Sequence, residues 1–147
     1  PTSSTAPTAG SAGPPARPLT RSAQIIERLE AGTAVICDRY AFSGTAYSIA
    51  NGLDAAWCET SDRGLPKPDV VFYLRLTPEQ AQCRRPTQAD RYENTPFQQR
   101  VFEQFERMSA AGSWRVIDAT QPPDVVVQQI VDALRILPSP LGPLGVL

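Results

Sequence analysis

Apolar residues change their period between residues 22 and 37, and the two halves of that stretch predict different elements. Ile25, Ile26 and Leu29 share one helical face, Glu27, Arg28 and Glu30 the other, and Gly32 stands where a helix C-cap belongs. From Ala34 the run Ala34-Val35-Ile36-Cys37 is small or β-branched throughout, which reads as a buried strand ending at Asp38-Arg39. In open α/β folds, chemistry gathers at the carboxyl ends of strands. Asp38 and Arg39 are therefore the first candidates for a site.

The alternation continues downstream. Ala41 to Asn51 is rich in small residues and reads as a helix broken at Gly52, and Asp54 opens a short helical turn through Trp57. Gly64-Leu65-Pro66-Lys67-Pro68-Asp69 must be irregular, because each proline lacks a backbone donor and restricts the residue before it. Val70 to Leu76 is a second strand. Thr77-Pro78-Glu79-Gln80 then combines a capping hydroxyl, a proline at the first helical position and a glutamine three residues after the cap. Phe97, Val101, Phe102, Phe105 and Met108 mark a long amphipathic helix closed by Gly112, with the aromatic stripe expected in the core and Trp57 in the core or a pocket wall. Trp114 to Ile117 is a third strand, and Val125 to Ile136 a last helix after Pro122-Pro123. Strands joined by connections of helical length predict an α/β fold with a three-layer parallel sheet.

Composition adds a boundary. Residues 1–20 hold five Pro, four Ala, four Thr, three Ser and two Gly, with Leu19 the only large apolar side chain, so a disordered low-complexity leader is expected there. Residues 21–147 form the expected domain. Hydrophobic residues are 41% and charged residues 20% of the 147, with a net charge of -1, which gives no footing to a nucleic-acid or membrane surface. Cys37, Cys58 and Cys83 are widely spaced and there is no histidine, which excludes zinc-finger and histidine acid–base chemistry. The odd cysteine count suits reduced thiols in a cytoplasmic or nuclear compartment. Of the 14 basic residues only Lys67 is a lysine.

Four blocks carry a resemblance. They are Asp38-Arg39-Tyr40-Ala41-Phe42-Ser43-Gly44-Thr45-Ala46-Tyr47, then Trp57-Cys58 followed by Gly64-Leu65-Pro66-Lys67-Pro68-Asp69, then Arg91-Tyr92-Glu93-Asn94, and last Pro140-Leu141-Gly142. In order and nearly in spacing they resemble the thymidylate kinases of eukaryotic type. The resemblance implies a P-loop nucleoside monophosphate kinase fold that transfers the γ-phosphoryl group of ATP to dTMP with Mg²⁺, as a step toward dTTP, and it implies a homodimer. It assigns to Arg39 the holding of a phosphate, and to Asp38 a place near the metal, through water. Ser43, Gly44 and Tyr47 are implied in the thymidine pocket, Tyr92 beside the deoxyribose, and Arg85 and Arg91 in a lid over the phosphates. Phosphoryl transfer depends on positioning and charge stabilisation, and the planar fork of arginine suits phosphate oxygens. Taken singly, Asp38-Arg39 is more often a local ion pair and Arg84 to Arg91 a solvated exposed loop; the ordered set gives them weight.

The same resemblance shows departures. A kinase of this class opens with a strand and a loop of the form G-x-x-x-x-G-K-[ST] that cradles the ATP phosphates. The single lysine lies between Pro66 and Pro68, so these 147 residues contain no such loop. The ATP site is incomplete, and the expected sheet lacks its first two strands. The aromatic–arginine segment that stacks on thymine in the family has no counterpart near Arg17-Pro18-Leu19, and Pro86, Thr87 and Gln88 replace the lid glycines. The expectation is an N-terminally truncated domain, inactive alone. The alternatives are a non-catalytic remnant that binds nucleotide weakly or dimerises, and a related deoxynucleoside kinase, which the Asp-Arg-Tyr and Arg-Tyr-Glu-Asn blocks disfavour.

Overall fold

Residues 21–84, 95–137 and 144–147 are described by a computed structural model. The expected leader at 1–20, the arginine-rich loop from 85 and the Pro140-Leu141-Gly142 block lie outside them. The chain divides into two compact units, Pro1–Val35 and Ile36–Leu147.

In the first unit, helix α1 (Arg21–Glu30) keeps the predicted sidedness: Ile25, Ile26 and Leu29 are half-buried and Glu27, Arg28 and Glu30 exposed. It ends where glycine allows. Gly32 adopts φ 74°, and the Gly32 and Thr33 N–H groups donate to the Leu29 and Arg28 carbonyls, each at 2.9 Å.

The predicted strand at Ala34 to Asp38 is not formed. Among the described residues no backbone group pairs with it, and Ile36 is 94% exposed. An apolar run supplies the side chains of a buried strand, but a ladder also needs a neighbour for its N–H and C=O groups. The sheet among the described residues accordingly has two strands rather than three. They are β1 (Phe72–Arg75) and β2 (Arg115–Asp118), parallel, in register from Phe72 opposite Arg115 to Arg75 opposite Asp118.

Five further helices surround this sheet's residues in the chain. Helix α2 (Ala41–Ala50) stops at Asn51, where Gly52 turns with φ 94°. Helix α3 (Ala55–Ser61) starts on Asp54, whose Oδ1 accepts from the Trp57 N–H at 2.8 Å. Helix α4 (Pro78–Arg84) has a reciprocal cap: the Thr77 N–H donates to Gln80 Oε1 at 2.9 Å, and the Gln80 N–H to Thr77 Oγ1 at 3.3 Å. Helix α5 (Thr95–Ala111) and helix α6 (Pro123–Arg135) match the two long apolar patterns. Helix α2 packs on α3 and α5, α4 packs on α5, and α6 packs on β2.

Trp114 ties these elements together. Its ring centre lies 5.0 Å from Phe42 of α2, 6.2 Å from Tyr73 of β1 and 6.5 Å from Phe105 of α5. Tyr73 and Phe105 stack at 5.6 Å. Among the described residues the enclosed apolar side chains are small or medium-sized, including Ala46, Cys58, Val101, Ile117 and Val126. The stripe Phe97, Phe102, Phe105 is half-buried rather than enclosed. Trp57 is 64% exposed, so it belongs to the surface and not to the core.

Candidate functional site

The turn from Asp38 to Tyr40 leads directly into α2, and its conformation is unusual. Arg39 has φ 64° and is the only non-glycine residue with positive φ among those described. A side chain in this left-handed region costs about 1–2 kcal/mol relative to the ordinary helical region. Such outliers concentrate where a site requires a particular pose. Here the pose directs the guanidinium over the ring of Tyr47, 5.1 Å from its centre. Among the described residues no carboxylate accepts a hydrogen bond from it or pairs with it.

Helix α2 supplies the adjoining surface. Ser43 and Gly44 stand one turn before Tyr47 and therefore on its face of the helix. A Cβ on Gly44 would meet nothing within 4 Å, so the helix surface there is open. Tyr47 is backed by Phe97 at 5.9 Å, edge to face, and Arg100 lies over Phe97 at 5.7 Å while its Nε donates to the Ala50 carbonyl at 3.0 Å. That last bond satisfies a carbonyl at the C-terminal end of α2, where a cation is favoured. The far side of α2 is fixed by Thr45, which is buried and donates its hydroxyl to Asp62 Oδ2 at 2.7 Å.

The structure thus brings Arg39 to Tyr47, with Ser43 and Gly44 on the same helix face. Asp38 is exposed at the same turn. Arg85, Arg91 and Tyr92 lie outside the described residues. No group of three or more His, Cys, Asp or Glu converges among the described residues, so those present do not by themselves form a Mg²⁺ site. They also offer no glycine-rich lysine loop for ATP.

Sequence reasoning missed a second feature. An open groove of about 450 Å³ lies at the carboxyl ends of β1 and β2, lined by Arg75, Thr77, Gln80, Val116, Asp118 and Thr120. None of the sequence-predicted site residues that are described lines it. Arg75 grips Glu106 of α5 through two hydrogen bonds, Nε to Oε1 at 2.9 Å and Nη2 to Oε2 at 3.1 Å, which holds the Glu106 carboxyl below its usual range. Burial, followed by the charge and hydrogen bond of Glu106, pushes the Tyr73 phenol up to about 12. Asp118 Oδ1 accepts from the Thr120 hydroxyl at 2.7 Å and its N–H at 2.9 Å, which lowers its carboxyl. Arg84, which the sequence left in a solvated loop, donates from Nη2 to the Thr120 carbonyl at 2.8 Å and the Gln121 carbonyl at 3.2 Å. The signal that could have found this groove is the position of Arg75 and Asp118 at the ends of two strands.

An α/β chain with two parallel strands among the described residues and a strained arginine at a helix start is the class these features define. The thymidylate kinase family model matches residues 16–130. The chain is 39% identical over 106 residues to a thymidylate kinase of Dictyostelium discoideum, covering 72% of this chain and 48% of that one. It is 40% identical over 113 residues to one of Schizosaccharomyces pombe, covering 74% and 54%, and 40% over 108 residues to one of Arabidopsis thaliana, covering 71% and 41%. The chain belongs to the thymidylate kinase family. It spans about half the length of the curated relatives it matches. No helix among the described residues is long and apolar enough to cross a membrane.

Proposed function

We propose that this chain carries the acceptor side of a dTMP kinase, with Arg39 holding the phosphate of dTMP and Ser43, Gly44 and Tyr47 lining the thymidine pocket. The observation that carries the reading is the strained Arg39, whose guanidinium is aimed across the start of α2 with no carboxylate partner among the described residues. Family membership and the Asp38-Arg39-Tyr40 block support it, since a fork of N–H donors over an aromatic face suits a phosphate monoester. Asp38, Arg85, Arg91 and Tyr92 complete the proposed site. In a complete enzyme of this kind ATP would supply the transferred phosphoryl group and Mg²⁺ would offset the charge on its phosphates, and a homodimer is the proposed assembly. The three free thiols favour a reducing, cytoplasmic or nuclear setting.

Calorimetric titration with dTMP tests the reading, with thymidine as the comparison. The expected result is tighter binding of dTMP than of thymidine, and loss of that difference in Arg39→Ala. Equal binding of both ligands overturns it. A coupled ADP-release assay on these 147 residues is expected to give only the background rate.

A second reading, a non-catalytic remnant that binds nucleotide or pairs with another subunit, rests on the absence of G-x-x-x-x-G-K-[ST] from these residues, whose only lysine is Lys67. An ADP-release rate above background that depends on Arg39 is the result that would exclude it.

A further inference from the structure

Tyr40 lies beside the strained residue, and its hydroxyl has no part in the readings above. It is the residue preceding α2, in extended conformation with φ -142° and ψ -164°, and its side chain makes no cap to the helix. The hydroxyl instead crosses 26 residues of sequence and donates to the Pro66 carbonyl at 2.9 Å. That acceptor is firmly placed. Pro66 is buried and forms an antiparallel bridge with Val146. On either side of it the Lys67 N–H donates to the Gly145 carbonyl and the Leu147 N–H to the Leu65 carbonyl, both at 2.9 Å. Pro66 and Pro68 narrow the loop's own conformational freedom further.

Strained backbone persists only where its surroundings over-determine it. Two anchors meet that need at Arg39. Tyr47 receives the guanidinium, and the Tyr40 hydroxyl fastens the following residue to the Gly64–Lys67 loop, which residues 145–147 hold from the other side. Burial, reinforced by Cys37 and Asp62, raises the Tyr40 phenol, so the hydroxyl keeps its proton to donate throughout the neutral range.

We propose that Tyr40 is a positioning residue for Arg39: its hydroxyl bond to the Pro66 carbonyl holds the turn at positive φ and so fixes the guanidinium where it meets a phosphate monoester. The inference rests on Arg39 as the phosphate-holding group. Tyr40→Phe removes the hydroxyl and keeps the ring. Calorimetry with dTMP and with thymidine separates the two levels of the argument. The expected result is that Tyr40→Phe weakens dTMP binding about fivefold, the worth of one hydrogen bond, and leaves thymidine binding unchanged. Amide exchange at residues 39–43 is expected to speed up in the same variant without ligand. A general loss of structure would weaken both ligands together, and that result overturns the positioning role. A dTMP preference that survives Tyr40→Phe intact overturns it too. Equal affinity for the two ligands in the unsubstituted chain removes the underlying role of Arg39 and the proposal with it.

Discussion

The guanidinium of Arg39 rests over the ring of Tyr47, 5.1 Å from its centre, and Phe97 meets that ring edge to face at 5.9 Å. A cation held on an aromatic face at an open surface gains about 0.5–1 kcal/mol. Tyr47→Leu is therefore expected to weaken dTMP binding about two- to fivefold by calorimetry. Tyr47→Phe keeps the face and is expected to bind nearly as well. Equal losses in the two variants would show that the phenol, not the ring, matters.

Arg39 has a conformation that glycine adopts without steric cost. Arg39→Gly is expected to leave stability nearly unchanged, because the relief of about 1–2 kcal/mol of strain is offset by the freedom of glycine in the unfolded chain and by loss of the contact with Tyr47. The same variant is expected to lose the preference for dTMP over thymidine. Urea unfolding with both ligand titrations tests the pair of effects. A fall of more than about 1 kcal/mol would mean that the turn is not strained.

The Arg75–Glu106 pair gives a pH signature. Glu106 has its carboxyl lowered from 4.5, first by the hydrogen bond from Arg75. A lowered acid contributes stability that is present above the ordinary value and lost as pH falls through the folded one. The urea midpoint is expected to drop as acidification carries the pH below 4.5, with a smaller drop in Glu106→Gln, and by a small amount because the pair is partly exposed. Tyr73, raised from 10.0 to about 12, has the opposite sign: its contribution is complete below 10.0 and lost as pH rises through about 12. Alkaline difference absorbance is expected to show one phenol titrating near that value, and Glu106→Gln to bring it down. Titration of every phenol near 10.0 would contradict this environment for Tyr73.

Gly112 ends α5 with no room for a side chain. An added Cβ would lie 2.9 Å from Cδ1 and Nε1 of Trp114 and 3.1 Å from the Met108 carbonyl oxygen. Gly112→Ala is expected to cost about 1–3 kcal/mol by forcing Trp114 from its aromatic neighbours. Since Trp57 is exposed and Trp114 half-buried, the fluorescence change reports on Trp114. An unchanged emission spectrum together with unchanged stability would contradict that placement.

Local chemistry was readable wherever a residue carries its own geometric instruction. Gly32 and Gly52 end helices by adopting positive φ, Asp54 caps α3, and Thr77 with Gln80 closes both halves of a capping box. The long apolar patterns of α5 and α6 were readable for the same reason, since a helix makes its backbone bonds within itself. The run Ala34 to Cys37 has strand-forming side chains too, but it found no backbone partner among the described residues. Trp57 has the composition of a core residue and the exposure of a surface one. Helical spacing alone did not show which side of α3 faces a neighbour.

The sequence by itself determined the order of helices, several of their caps, the two paired strands and the family match over residues 16–130. Only the tertiary structure decided that Arg39 is strained and laid over Tyr47, that Tyr40 reaches Pro66, and that Arg75, Asp118 and Thr120 share a groove. The division follows from the range of the forces. Caps, turns and helical periods are satisfied within a few residues, whereas strand pairing, a cation on a distant ring and a hydroxyl reaching a carbonyl 26 residues away exist only once the chain has brought those groups together.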